Sequence, residues 1–361
     1  MSTKWLSNPA FCVLPFIEQF YPLGDAQRFC CYSPTSIDHL DSVSSNELRK
    51  KIKNGEKIVH CQSCYDLEKS QVISPRLLES ARWLKHAEVS DYIEKWTEDS
   101  PRQVFFYDIR YDNKCNLACI TCNPTESSLW AKELGINSKS RKLKLDLEKI
   151  KLAKKVYLAG GEPLIIDQFI QLIEYISTLD QQPELVINTN LTRTNDNLKE
   201  FLKRIKKLTL TVSVDGVEKI NEYHRWPMKW SKFLENLQWA NSINCNIQFN
   251  TVVDAVSILN LHRLQEIEHL CHQWTLSILT KPRALLVNNL PPEIKQTVHD
   301  NFVNIRQSRF YQNDLIFKTK IDNITDLILT PGDSILLSSY IKDLDSRRNI
   351  DHRNYLGINL I

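Results

Sequence analysis

Apolar residues recur along this chain with two periods, and the pattern changes near residue 100. From residue 102 onward, short runs of strand type are predicted at about 104–109, 155–159, 184–189, 208–214 and 246–253, with a sixth at 275–279 or 284–287. Between them lie sets such as Leu198, Phe201, Leu202 and Ile205, spaced to bury one face of a helix. Strand alternating with helix over this length predicts an α/β fold on a parallel sheet, open or closed into a barrel. In such folds the functional groups sit at the carboxyl ends of the strands. Ahead of residue 102, a short helix is expected around Ser45–Gly55, with Ser44 or Ser45 as N-cap and Gly55 as its left-handed stop. Residues 68–98, with Leu77, Leu78, Trp83, Leu84 and Trp96, read as amphipathic helix, and Ser100-Pro101 marks the expected boundary. Three domains follow: a cysteine-rich region over 1–98, the strand–helix region over 99–290, and a helical C-terminal extension over 291–361.

With 361 residues, 42% hydrophobic and 25% charged, the chain has the composition of a globular protein with a sizeable core. A net charge of +3 is too weak to point to nucleic acid or an anionic membrane. No apolar run reaches the roughly eighteen residues a membrane helix needs. The polar and proline residues of Met1–Pro9 interrupt any signal-peptide core. A cytoplasmic protein is expected, and in that compartment ten cysteines argue for metal rather than disulfides.

Three of those cysteines are spaced for a cluster. Cys115, Cys119 and Cys122 are separated by three residues and then by two, directly after the first predicted strand. Three thiolates on one loop hold three irons of a cubane and leave the fourth iron open for chemistry, whereas structural sites close their shell. Cys12, one of Cys30 and Cys31, and the Cys61-Gln62-Ser63-Cys64 knuckle supply a second set of four thiolates. That set suits either tetrahedral zinc or a cubane, with His60 as a further candidate ligand.

The other unusual residues follow the later strands. Gly160-Gly161-Glu162-Pro163 ends the second strand in a chain with only eight glycines. A glycine pair permits close backbone approach to a ligand, and Glu162 offers an acceptor for an ammonium group. Asn188-Thr189-Asn190 ends the third strand with side chains suited to ribose hydroxyls or to capping the next helix. Ser213 and Asp215 end the fourth. Arg225 follows, and a guanidinium is suited to fork-like binding of a carboxylate. Asn250 and Thr251 on the fifth are weaker candidates.

Taken together, the Cys115/Cys119/Cys122 triplet and the Gly160-Gly161-Glu162-Pro163 turn resemble those of a radical S-adenosylmethionine enzyme. The N-terminal Cys12-Val13-Leu14-Pro15-Phe16, Cys30-Cys31, Cys61-Gln62-Ser63-Cys64-Tyr65 and Ser74-Pro75-Arg76 are similar to a twitch-type auxiliary-cluster domain, and Asn289-Leu290-Pro291-Pro292 and the tail from Asp345 to Arg353 look like the same branch. The resemblance implies a partial (β/α)6 barrel. It implies a [4Fe–4S] cluster on Cys115, Cys119 and Cys122, with S-adenosylmethionine bound through the Gly160-Gly161 backbone and Glu162 (amino group), Asn188, Asn190 and Ser213 (ribose) and Arg225 (carboxylate). One-electron cleavage then yields a 5′-deoxyadenosyl radical. An auxiliary [4Fe–4S] cluster would sit on Cys12, Cys30 or Cys31, Cys61 and Cys64, which favours iron over zinc there. Two departures stand out: Thr121 occupies a position that is often aromatic in the family, and the fifth strand lacks a clear glycine motif for adenine.

The same resemblance favours a maturase that modifies a ribosomally made precursor peptide, excising a tyrosine-derived fragment, with an external low-potential electron donor. No leader-binding module is evident, so a separate small partner protein is expected. The lysine-rich stretch Lys139, Arg141, Lys142, Lys144, Lys149, Lys151, Lys154 and Lys155 and the charged tail Asp343–His352 are candidate contacts for it, although a charge run is usually a solvated face. The alternatives are a radical enzyme acting on a small molecule, sugar, lipid or nucleoside, and a non-catalytic zinc or redox protein.

Overall fold

The computed structural model describes residues 3–24, 26–110, 112–137, 143 and 145–361. Seven strands carry it: β1 (Glu18–Tyr21), β2 (Phe106–Ile109), β3 (Lys155–Leu158), β4 (Glu184–Thr189), β5 (Leu208–Ser213), β6 (Cys245–Val253) and β7 (Gln273–Ile278). Their order in the sheet is their order in the sequence, as successive strand–helix–strand crossovers of one hand produce. The α/β class and the parallel, unclosed sheet of a partial barrel are borne out.

Six strands lie within two residues of their expected bounds. For the last, Gln273–Ile278 is the strand, and 284–287 falls in short turns of 3-10 helix at Arg283–Leu285 and Val287–Asn289. The seventh strand, β1, was not expected. It has only four residues, opens on a buried glutamate and runs straight into Pro22, so it offers almost no alternation to read.

The chain forms two compact units. The first comprises Met1–Asp112, Arg141–Gly160 and Leu179–Leu185. In it β1 pairs in parallel with β2 from Glu18↔Phe106 to Tyr21↔Ile109, and β2 with β3 from Phe106↔Lys155 to Ile109↔Leu158. Flanked on both sides, β2 buries all four of its residues. Around this sheet lie helices α1 (Val43–Lys53), α2 (Gln62–Lys69), α3 (Pro75–Trp83) and α4 (Ala87–Lys95). An aromatic core fills the unit, with Phe16 edge-on to Trp96 at 5.0 Å and Trp83 5.7 Å from Phe106.

The expected helix over 68–98 is three helices. Gln71 takes a left-handed φ of 60°, which ends α2, and Ser74 with Pro75 opens α3 as cap and first residue. Helix α1 is capped by Ser42 rather than Ser44 or Ser45, its hydroxyl accepting from Ser45 N–H at 3.2 Å. Gly55 is left-handed at φ 88°, as expected of a stop.

The second unit comprises Asn113–Ser140, Gly161–Thr178 and Val186–Ile361. Here β5 pairs with β6 from Leu208↔Cys245 to Ser213↔Asn250, and β6 with β7 from Gln248↔Gln273 to Val253↔Ile278, both in parallel. Its helices include α5 (Ser128–Glu133), α6 (Asp167–Ser177), α7 (Asp196–Lys203), α8 (Glu218–His224), α9 (Trp230–Ser242), α10 (Leu315–Ile328) and α11 (Ser334–Arg348). Helix α6 buries Phe169, Leu172, Ile173 and Ile176, one face at helical spacing. Among the described residues no helix is long and apolar enough to cross a membrane.

Candidate metal centres

The loop that carries Cys115, Cys119 and Cys122 is held by backbone and side chain alike. Cys115 N–H donates to Ser128 Oγ at 3.0 Å, and Ser127 Oγ donates to Leu117 O at 2.6 Å. Ala118 N–H and Ile120 N–H donate to Trp226 O and His224 O at 2.7 and 2.9 Å. The glycine pair explains how another segment passes so close. Gly160 has φ 119°, and a Cβ there would lie 2.5 Å from Asp112 O; at Gly161 a Cβ would overlap Lys114 O. Glu162 N–H then donates to Lys114 O at 2.8 Å. Burial pushes the Cys115 thiol well up and that of Cys122 to about 12. As free thiols both stay protonated, so this is a donor set that a cation must convert to thiolate.

Glu162 is buried. Its Oε1 accepts from Leu164 N–H (3.1 Å) and Thr189 Oγ1 (2.6 Å), and its Oε2 from Asn190 N–H (2.6 Å). Burial nevertheless outweighs these three bonds and raises the carboxyl to about 7. Asn190 also ties the end of β4 to the cysteine loop, donating from Nδ2 to Asn116 Oδ1 at 3.1 Å. Asn188 differs: its Oδ1 is buried and accepts no hydrogen bond. Ser213 is half-buried at the end of β5, opposite Asn250. Thr251 is spent on structure, donating to Val214 O and accepting from Trp274 Nε1.

Arg225 lies at the end of a buried row of charges that the sequence did not reveal. Its Nη2 is 2.7 Å from Asp215 Oδ2, which is 3.0 Å from His224 Nδ1, while His224 Nε2 is 2.5 Å from Asp254 Oδ2. The two contacts to Asp215 Oδ2 are charge contacts without hydrogen-bond alignment. Burial alone would raise Asp215, but Arg225 and His224 outweigh it and hold the carboxyl down at about 2. Burial would likewise lower His224, but Asp254 and Asp215 raise it to about 10. Arg225 Nη1 is 3.8 Å from Cys119 Sγ, and its Nε is buried without an acceptor. The His224-Arg225 doublet was the available signal for this row, but nothing in the sequence tied it to Asp254.

The N-terminal cysteines divide. Cys12, Cys30, Cys61 and Cys64 line one cavity, together with His60 and Arg76. Cys31 does not line it; its thiol lies near Asp108, whose carboxylate pairs with Arg110 at 2.7 Å. Arg76, fixed by Glu68 at 2.6 Å, donates to Phe11 O at 2.5 Å and so braces the chain beside Cys12. Among the described residues no three cysteine sulfurs lie within 4.8 Å of one another.

The proposed contact stretches are partly occupied. Lys139, Arg141, Lys142 and Lys144 lie outside the described residues. Lys149, Lys151, Lys154 and Lys155 face Asp146, Glu148, Glu88 and Glu184. In the tail, Asp345 accepts from Tyr223 and His352, and Asp343 pairs with Arg347.

Comparison with known proteins gives residues 110–271 as a match to the Radical SAM superfamily. GTP 3′,8-cyclase of Clostridium perfringens (strain SM101 / Type A) is 24% identical over 154 residues, 42% of this chain and 47% of that protein. GTP 3′,8-cyclase of Alkaliphilus oremlandii (strain OhILAs) is 33% identical over 129 residues, 32% of this chain and 36% of that protein. This chain thus spans at most about half the length of these curated relatives. Among solved structures, Streptococcus suis SuiB bound to S-adenosylmethionine aligns with a TM-score of 0.41 at 15% identity, over 64% of this chain and 57% of that one. Native anSMEcpe with bound AdoMet aligns with a TM-score of 0.43 at 17% identity, over 59% of this chain and 61% of that one. The match over residues 110–271, a little under half of this chain, supports a Radical SAM superfamily domain, a family that implies a [4Fe–4S] cluster and S-adenosylmethionine.

Proposed function

We propose that this chain is a cytoplasmic radical S-adenosylmethionine enzyme that modifies a ribosomally made peptide. Cys115, Cys119 and Cys122 hold the cluster. Glu162 and the Gly160-Gly161 backbone receive the amino group of S-adenosylmethionine, Asn188, Asn190 and Ser213 its ribose, and Arg225 its carboxylate. When bound, cluster and cofactor supply a 5′-deoxyadenosyl radical that takes a hydrogen atom from substrate.

The observation that carries this reading is that two of the orphaned atoms in the unit that bears the triplet belong to residues assigned to the cofactor. Arg225 Nε is a buried donor without an acceptor, and Asn188 Oδ1 a buried acceptor without a donor; buried polar groups are rarely left so, and a carboxylate and a ribose hydroxyl are the complementary groups. Glu162 has about four acceptor positions, three of them filled, which leaves one for an ammonium. In the first unit, Cys12, Cys30, Cys61 and Cys64 hold an auxiliary [4Fe–4S] cluster, and Cys31 is not a ligand; the cavity lining supports this choice of cysteines.

The peptide substrate, the excision of a tyrosine-derived fragment, the separate small partner protein and the external low-potential donor rest on the resemblance of the cysteine-rich region over 1–98 to twitch-type domains. A second reading is favoured by the curated relatives, both GTP 3′,8-cyclases: a nucleotide or other small molecule as substrate. The deciding experiment reconstitutes the chain anaerobically with iron and sulfide, adds S-adenosylmethionine and a strong reductant, and assays 5′-deoxyadenosine. Its absence in a protein carrying about four irons on the triplet overturns the enzyme reading.

A further inference from the structure

Three successive carbonyls of the cysteine loop are each met by a side chain. Ala118 O accepts from Arg348 Nη2 at 2.7 Å, Cys119 O from Trp130 Nε1 at 2.6 Å, and Ile120 O from Tyr340 Oη at 2.8 Å. On its other edge the loop is laddered to residues 224–226 through Ala118 N–H and Ile120 N–H. Two of the three donors come from α11, 220 and 230 residues further along the chain.

That helix is itself fixed. Its cap Asp333 accepts from Leu336 N–H at 3.0 Å, Leu337, Ile341 and Leu344 are fully buried, and Asp345 accepts from Tyr223 Oη at 3.0 Å. Arg348 also binds Glu133 at 3.1 Å, on the same helix α5 that carries Trp130. The guanidiniums of Arg347 and Arg348 lie over the Trp130 ring, 5.2 and 5.0 Å from its centre. Arg348 therefore joins α11, α5 and the loop in one contact set.

We propose that α11 is a clamp for the cysteine loop, with Tyr340 and Arg348 as positioning residues that set the spread of Cys115, Cys119 and Cys122. A loop of this length has no regular structure to fix its carbonyls, and a buried carbonyl without a donor is costly. Side chains that hold the backbone around metal ligands govern how tightly the metal is kept. Both residues bond to backbone carbonyls, so their action passes through the backbone between the ligands. The hold on the loop stands on these contacts alone, while its consequence for iron rests on the proposed function.

The test compares Tyr340→Phe, Arg348→Lys, Arg348→Gln and the Tyr340→Phe/Arg348→Gln pair with the parent chain. Hydrogen exchange of residues 116–122 is followed before and after anaerobic reconstitution. Iron loss to a chelator and the electron paramagnetic resonance of the reduced cluster are read in the same samples. Each single loss should speed exchange at the loop about 3- to 10-fold. The pair should lose triplet iron about 10- to 100-fold faster, with a shifted resonance, and Arg348→Lys should recover part of both. Tyr340→Phe removes one hydroxyl only and keeps the result interpretable where the pair folds poorly. Unchanged loop exchange and iron retention in the single and paired variants would overturn the clamp. Faster loop exchange in a chain that never takes up triplet iron would support the clamp and overturn the cluster assignment instead.

Discussion

Arg225 Nη2 sits 2.7 Å from Asp215 Oδ2, and this pair ends a row of alternating charges, Arg225, Asp215, His224 and Asp254, that is buried along its whole length. The row makes stability depend on pH in a defined direction. His224 is raised from 6.5 to about 10, so what it contributes is complete below pH 6.5 and is lost as pH rises through about 10. Asp215 is lowered from 3.8 to about 2, so its share is present above pH 3.8 and lost as pH falls through 2. Denaturant unfolding of the parent and His224→Gln should therefore show a wide stability gap at pH 6 that narrows by pH 10. A gap independent of pH would mean that His224 is buried neutral.

Arg225→Gln separates the guanidinium's two tasks. It leaves Asp215 with one cation in place of two, a destabilisation of about 3 kcal/mol or more. It also removes the orphaned Nε. Calorimetry should find S-adenosylmethionine affinity at least about tenfold weaker in the folded variant, the usual cost of an unpaired desolvated charge. Unchanged affinity would take Arg225 out of the cofactor site.

Much of this was legible in the sequence, and the gaps have physical causes. Strands β2 to β7 could be read as runs or alternations of apolar and β-branched residues between turn signals. β1 could not, since four residues that begin with Glu18 carry no period. The triplet and the glycine pair declared themselves by spacing, but their mutual packing did not: the overlap a Gly161 Cβ would make with Lys114 O is a property of the folded backbone. The knuckle pointed to a site, whereas which of Cys30 and Cys31 lines the same cavity depended on how the folded chain turns there. His224, Asp254, Tyr340 and Arg348 were out of reach because each acts through partners 30 to 230 residues away.

Substitutions of the cysteines should sort them into two clusters. Cys115→Ala, Cys119→Ala or Cys122→Ala should abolish reductive cleavage of S-adenosylmethionine and lower iron by about four per chain. Cys30→Ala, Cys61→Ala or Cys64→Ala should lower iron by a similar amount yet leave cleavage running without product. Cys31→Ala should keep full iron. Elemental analysis that finds zinc in the first unit would replace the auxiliary cluster and leave the enzyme assignment standing.

Gly161→Ala is a single-methyl test of how closely the two segments pass. The added Cβ would overlap Lys114 O and lie 2.6 Å from Asn113 C, and neither is a flexible side-chain end that can move aside. The backbone must shift, at a cost of about 1 to 3 kcal/mol. Because Glu162 N–H also bonds to Lys114 O, the shift should carry the loop with it, so iron on the triplet should fall along with stability. Normal iron content and stability in Gly161→Ala would show that the two backbones have room for a methyl group between them.

The substrate class is decided by competition between two chemistries. A flexible peptide loses much conformational entropy on docking, so a peptide enzyme needs an extended recognition surface, and a small leader-binding partner would supply it and raise the local concentration of the reacting segment. The described lysines and the Asp343–His352 tail are already engaged within the chain, which makes neither an obvious unoccupied site for an acidic leader. Reconstituted protein, S-adenosylmethionine and reductant should be incubated in parallel with a tyrosine-containing precursor peptide encoded nearby, with and without a small neighbouring protein, and with GTP. A peptide mass change that requires the small protein would support the peptide reading together with its partner. A mass change without it would keep the peptide and remove the partner. Conversion of GTP with every peptide left intact would move this chain to the nucleotide class of its curated relatives, with the triplet, Glu162 and Arg225 still holding the cluster and the methionine end of S-adenosylmethionine.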